Sequence, residues 1–220
     1  MTDTPTLDQR AIPDARDPTR RRRRGRALRV IGLVLIAAAL AIAGYVWWQL
    51  WGTGFVTRAA QNDLRPDFER RVATRSAESA PARVANVPGR AVAIIRIPEI
   101  EVDLVVVEGT DTESLKKGPG HYLGTAYPWQ DHGRVAIAGH RTTYGAPFWA
   151  LDELSAGDRI VLATEYGVFN YRVTGSRIID PADGSVLGAT QRPTLVLTTC
   201  NPRFSAAQRL VVFADRVSQV

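Results

Sequence analysis

From Val30 to Trp48 the chain carries no charge and consists of Val, Ile, Leu, Ala and Gly until a Tyr and two Trp close it. Roughly 20 apolar residues in a helix cross the hydrocarbon core of a bilayer. There every backbone polar group must be satisfied within the segment, so such a run is restricted to a helix. A transmembrane helix is expected over 30–51. Tyr45, Trp47, Trp48 and Trp51 gather at its far end, as aromatic side chains do at a membrane interface. Arg20 to Arg24, Arg26 and Arg29 precede it, and basic residues of this kind stay in the cytoplasm. The expected topology is a single-pass cell-membrane protein with a cytoplasmic N-terminus and an extracellular bulk. A cleaved signal peptide fits less well: the run outlasts a signal core, and no convincing small-residue cleavage site precedes the bulky Trp47-Trp48-Gln49-Leu50-Trp51.

The same arginines explain the charge. The chain of 220 residues has net charge +6. Residues 1–29 hold nine arginines and four aspartates, which leaves nineteen Lys and Arg against eighteen Asp and Glu elsewhere. The remainder is nearly neutral, and no nucleic-acid partner is expected of it. The tail 1–29 is rich in Pro and Arg and is expected to be disordered. Residues 52–90 read as an extracellular stalk: a helix over about 56–75, then a linker rich in Ala, Pro and Ser over 76–89.

From Ala91 the pattern changes to short apolar runs between turns. Strands are expected at 91–97, 102–107, 135–138, 160–164, 169–179, 194–199 and 210–214, with a hairpin turn at Tyr166-Gly167. One short helix is expected from Thr110, whose spacing to Glu113 is that of a capping box, and another over 147–154. No internal repeat is present. Seven or eight strands at this spacing point to a mainly β fold, a small closed barrel over 91–220.

Cys200 is the only cysteine. An exported chain with one cysteine has no intramolecular disulfide, so the thiol is a buried hydrophobe, an intermolecular linker or a nucleophile. The run Thr194 to Thr199 carries it to a strand end, where Asn201-Pro202 breaks the strand. A cysteine nucleophile needs a neighbour that manages protons and a cation that favours the thiolate. His140, in Ala138-Gly139-His140-Arg141, and Arg209 are the candidates. Arg203, in the loop after Pro202, is the rival to Arg209. His121 and His132 read as structural or exposed. The acidic run Glu99, Glu101, Asp103 and Glu108 reads as a solvated strand face and loop. No metal site and no cofactor is expected, because three histidines and one cysteine lack ligand spacing.

These segments resemble the sortases. Gly133 to Phe148 is similar to their histidine segment, Leu197-Thr198-Thr199-Cys200 to their cysteine motif, and Arg209-Leu210-Val211-Val212 to the strand that bears their arginine. Gly118 to Thr125 resembles the loop before the histidine strand. The likeness covers Ala91 to Val220, and His-Arg-Thr-Thr-Tyr-Gly-Ala-Pro-Phe most resembles class E, the housekeeping type of high-GC Gram-positive bacteria. Pilin-building sortases carry an Asp-Pro-aromatic lid; the nearest string here, Pro66-Asp67-Phe68, has the wrong order.

The resemblance implies an eight-stranded barrel and a cysteine transpeptidase, a thiol protease in hydrolase terms. Cys200, His140 and Arg209 would be catalytic, with Thr199, Tyr122 and Tyr144 as substrate-binding candidates. It implies secreted protein substrates bearing a C-terminal sorting signal of Leu-Ala-x-Thr-Gly or Leu-Pro-x-Thr-Gly type, cut between Thr and Gly. The acceptor would be an amino group of a cell-wall precursor. The rival readings are a pilin-polymerising sortase and a membrane-anchored, non-catalytic β-domain. An L,D-transpeptidase is disfavoured, since its Ser-His-Gly-Cys-type signature is absent.

Overall fold

A computed structural model describes residues 18–74, 80–81 and 86–217. Residues 1–17 of the basic tail, and 75–79 and 82–85 of the expected linker, lie outside the described residues. The chain falls into two units, Met1–Val46 and Trp47–Val220. The first contains nearly all of α1 (Pro18–Trp47), whose apolar part is long enough to cross a membrane by length and composition. A single π-helical turn, Trp48–Gly52, follows in the second unit.

The second unit holds eight strands: β1 (Ala91–Ile97), β2 (Val102–Glu108), β3 (Gly120–His121), β4 (Arg134–Ala138), β5 (Arg159–Thr164), β6 (Gly167–Ile179), β7 (Thr194–Asn201) and β8 (Gln208–Val217). They close into a barrel in the order β1-β2-β3-β4-β7-β8-β6-β5. The pairs β2–β3 and β4–β7 are parallel, and the rest are antiparallel. Alternation does the sorting. In β7, Leu195 and Leu197 enter the barrel core, whereas Val196 lies in a second cluster with Ala136, Val186 and Val211 on the outer face. Each core side chain of this size contributes about 1.5–3 kcal/mol by leaving water.

All seven expected strands are present, with ends that move by up to three residues. The eighth, β3, has only two residues and so no period to read. It closes the barrel by pairing with β2 on one side and β4 on the other. Gly120 is required there, because a Cβ would collide with the carbonyl oxygen of Gly109. The helix expected from Thr110 starts later: α3 spans Thr112–Lys117, and Asp111 is its N-cap, accepting from the N–H groups of Glu113 and Ser114 at 3.0 Å each. An aspartate caps better than a threonine because it is charged and has two acceptor oxygens. The helix expected over 147–154 is only a 3₁₀ turn at Leu151–Glu153. Phe148, Leu151 and Leu154 are all buried in the core, and a spacing of three matches the three-residue turn of a 3₁₀ helix.

The stalk reading needs correction. Residues Thr53–Thr74 form α2, and α2 is docked on the barrel rather than standing apart from it. Phe68 is fully buried against Ala91, Ile94 and Val105. Gln61 acts as an extra strand: its Nε2 donates to the carbonyls of Val105 and Lys117 at 3.0 and 2.8 Å, and its Oε1 accepts from Val105 N–H at 2.7 Å. Arg71 donates to Glu165 and to the Ala91 carbonyl, both at 2.9 Å. The compact body therefore begins well before Ala91.

One further expectation fails beside a histidine read as structural or exposed. Glu108 is 1% exposed and not solvated, and His121, 2% exposed, takes the structural role. His121 Nδ1 lies 3.0 Å from Glu108 Oε1, and its Nε2 lies 3.0 Å from the Ala126 carbonyl. Tyr127 donates its hydroxyl to Glu108 Oε2 at 2.9 Å. Strands β2 and β3 pair Glu108 with His121 directly, and that adjacency is invisible in the linear chain.

Candidate active site

Strand parity gathers the site. Cys200 is the cross-strand partner of Arg209 on β7 and β8, and directly opposed residues have Cβ atoms about 4.5–5.5 Å apart. Cys200 follows Val196 and Thr198 at intervals of two, so it shares their outer face. Arg209 stands two residues before Val211, on that same face.

His140 arrives by the parallel pairing of β4 with β7. The ladder ends at Ala138↔Thr198. His140 and Cys200 each stand two residues further on, in neighbouring chains that run the same way. Gly139 N–H donates to the Thr198 carbonyl at 3.0 Å and extends the alignment one step. Gly139 must lack a side chain, because a Cβ would come within 2.5 Å of the Phe148 ring. The three predicted residues thus converge at one end of the barrel, although all of β5 and β6 lies between His140 and Cys200 in sequence.

Cys200 is half-buried and free. The Nε2 of His140 is buried and has no hydrogen-bond partner among the described residues. Its ring packs on Tyr144 with centroids 4.9 Å apart. Burial pushes the imidazole below the ordinary histidine value near 6.5. Arg209 Nη1 donates to the carbonyls of Ala206 and Gln208 at 3.1 and 3.0 Å, and no carboxylate pairs with it among the described residues. Arg203 is engaged elsewhere: it meets Asp152 at 2.9 Å and Glu153 at 3.6 Å, and lies over the Trp149 ring at 4.6 Å.

The three expected substrate contacts divide. The hydroxyl of Tyr122 lies 3.0 Å from Thr198 Oγ1, and its ring joins the outer-face cluster with Val186 and Leu187. It therefore shares the face that bears Cys200. Tyr144 covers His140 and donates its N–H to Thr53 Oγ1 of α2 at 3.0 Å. Thr199 differs. It is buried, one position out of phase with Cys200, and its hydroxyl donates to the Gly139 carbonyl at 2.7 Å. That bond ties β7 to the segment bearing His140 and directs the side chain away from the thiol. The sequence reading gave no role to Arg141, which is 3% exposed and bonded to the Cys200 carbonyl. Its signal was a guanidinium next to the candidate histidine in an otherwise weakly charged stretch. Among the described residues no three His, Cys, Asp or Glu side chains converge as metal ligands.

A closed barrel of this topology with a thiol, an imidazole and a guanidinium at adjoining strand ends is the architecture of a cysteine transpeptidase. Residues 95–217 match the family model of the sortase domain, and the chain belongs to the sortase family. It is 35% identical to Sortase D of Bacillus subtilis over 201 residues, covering 86% of this chain and 99% of that protein. The structure of Sortase E1 from Streptomyces coelicolor, which has a tripeptide in its active site, aligns with TM-score 0.56 and 32% identity, over 61% of this chain and 92% of that one. A Sortase D5 transpeptidase of Clostridium perfringens aligns with TM-score 0.60 and 26% identity, over 74% of this chain and 99% of that one. The likeness to class E is among these findings, and the activity of the family is transpeptidation.

Proposed function

We propose that this sortase is a membrane-anchored, class E-type enzyme that cuts a C-terminal sorting signal of Leu-Ala-x-Thr-Gly or Leu-Pro-x-Thr-Gly type and joins the new Thr carboxyl end to an amine of a cell-wall precursor. The observation that carries it is the register Cys200↔Arg209, with His140 two residues beyond Ala138↔Thr198.

The chemistry follows from the side chains. The Cys200 thiolate attacks the Thr carbonyl carbon, and the carbonyl electron pair moves onto oxygen. Arg209 donates hydrogen bonds to that oxyanion. The tetrahedral centre collapses, the Thr–Gly C–N bond breaks, and His140 as imidazolium gives its proton to the leaving glycine nitrogen. A thioester remains. An acceptor amine attacks it, loses a proton to His140, and expels the thiolate, which restores the starting state. Because burial holds His140 below its ordinary range, the imidazolium is the minor form near neutral pH. Tyr122 lines the face on which the signal peptide lies, and Thr199 holds the two site strands together from inside.

The apolar helix anchors the protein, with the arginine-rich tail cytoplasmic and the barrel outside. Functionally, 1–29 is the cytoplasmic tail, 30–51 the span and 91–220 the catalytic domain. Within 52–90, α2 serves the catalytic body.

The test is incubation of the protein with both peptide types and candidate amines, with products read by mass spectrometry. A covalent peptide–amine product supports the reading. Folded protein that cleaves neither peptide overturns it.

A further inference from the structure

We propose that Arg141 is a positioning residue that fixes Cys200 relative to His140, an inference that rests on the nucleophile and acid–base roles given above. The backbone ladder between β4 and β7 stops short of the reacting groups. Its last bond is Gly139 N–H to the Thr198 carbonyl, and no backbone hydrogen bond among the described residues joins 140–142 to 200–202. Arg141 takes over there. Its Nη1 donates to the Cys200 carbonyl at 3.4 Å and to Asn201 Oδ1 at 3.2 Å. Its Nη2 meets Asp152 at 2.8 Å, and its Nε donates to the Trp149 carbonyl at 3.3 Å. One guanidinium thus links the residue after His140, the backbone of Cys200 and the 149–152 loop.

Burial makes that link more than incidental. An ion taken out of water is destabilising unless its partners are well placed. Arg141 is 3% exposed, so its countercharge and its carbonyl partners must all be held in position. Only a planar fork of five donors reaches them together; a lysine ammonium is a single point. Because His140 is its covalent neighbour, a guanidinium held at the Cys200 carbonyl restricts both reacting groups at once. A misplacement of about 1 Å in such an arrangement costs on the order of 100-fold in rate.

The molecule contains its own control. Arg203 uses the same Asp152 carboxylate and the same Trp149 carbonyl, yet it makes no hydrogen bond to Cys200 or Asn201. A mere brace for the 149–152 loop makes the two arginines equivalent. A positioning role separates them.

The experiment measures kcat and KM of the full-length protein with a Leu-Ala-x-Thr-Gly-type peptide. Arg141→Lys is expected to lose kcat by roughly 30- to 100-fold with KM within about twofold. Asp152→Asn, at a half-exposed site that tolerates change, is expected to lose about tenfold in kcat, and Arg203→Ala to stay within about twofold. If Arg141→Lys does not fold, the excess loss in Asp152→Asn over Arg203→Ala carries the test. Wild-type kcat in Arg141→Lys, a loss confined to KM, or an equal fall in Arg203→Ala overturns the proposal. Cys200→Ala distinguishes the two levels: retained activity there sinks the nucleophile reading itself, whereas an inactive Cys200→Ala beside a fully active Arg141→Lys sinks only the role of Arg141.

Discussion

His121 and His140 belong to neighbouring strands, β3 and the extension of β4; the first is fully buried and the second half-buried with its Nε2 out of water. Their surroundings differ in one respect. Each ring nitrogen of His121 faces an acceptor, Glu108 on one side and the Ala126 carbonyl on the other. His140 has a buried Nε2 with no partner among the described residues. Buried polar atoms are nearly always hydrogen-bonded, so the exceptions need an explanation. A satisfied histidine contributes to stability and has no spare valence for chemistry. An unsatisfied one costs stability and keeps a lone pair or proton for a substrate. The same contrast separates Arg203, paired and stacked, from Arg209, which among the described residues holds backbone carbonyls and no carboxylate.

The contrast can be broken most severely at the thiol. Cys200→Ala is expected to lower transpeptidation by about 10⁴-fold or more, with an unchanged circular dichroism spectrum. Measurable turnover in that variant would falsify the nucleophile assignment. At the next level, Arg209→Lys keeps the charge but loses the fork, and a fall of roughly 100- to 1000-fold in kcat is expected. Near-wild-type turnover there, with collapse in Arg203→Ala, would transfer the oxyanion role to the loop arginine.

The partnered histidine is expected to respond in the opposite way. Glu108→Gln breaks a fully buried pair and should cost about 3–5 kcal/mol in urea unfolding, while turnover per folded molecule stays at the wild-type value. A variant that keeps its stability but loses activity would place Glu108 in the chemistry. The smallest effect is expected at Tyr144. Tyr144→Ala opens the His140 ring to water, and solvation favours the charged form, so the imidazole should titrate at higher pH than in the parent protein. An NMR titration of the parent and the variant reads the change directly. A His140 titration that shifts downward, or stays fixed, would mean that Tyr144 does not shield the ring.

The parts legible in the sequence are those that repeat. Strands of β-branched residues alternate with period two, and the seven longer ones were readable for that reason. Cys200, His140 and Arg209 were readable because each ends or begins such a run. Thr199, a candidate by resemblance, stands next to the thiol in sequence but on the opposite face, since adjacent strand residues face opposite ways. The docking of α2 was hidden because much of it is polar. Gln61, Thr57 and Arg71 bind backbone carbonyls of the barrel body, and hydrophobic periodicity does not register contacts of that kind. Glu108 with His121, and Arg141 with Cys200, are joined by tertiary pairing alone.

The parallel β4–β7 pairing has a consequence for how such a protein can change. His140 and Cys200 are placed by counting two residues past one shared rung, Ala138↔Thr198. Their separation is set at that rung and not by the length of the chain that leaves β4 and returns at β7. Insertions or deletions in the parts of that excursion beyond the 149–152 loop, which holds Arg141, can therefore remodel the surface while His140 and Cys200 keep their spacing. A deletion of one residue between Val196 and Cys200 acts differently: it swaps inside for outside and buries the thiol where Thr199 now sits. The fold lets specificity drift freely in its loops and makes the chemistry sensitive to a single step of parity in one strand.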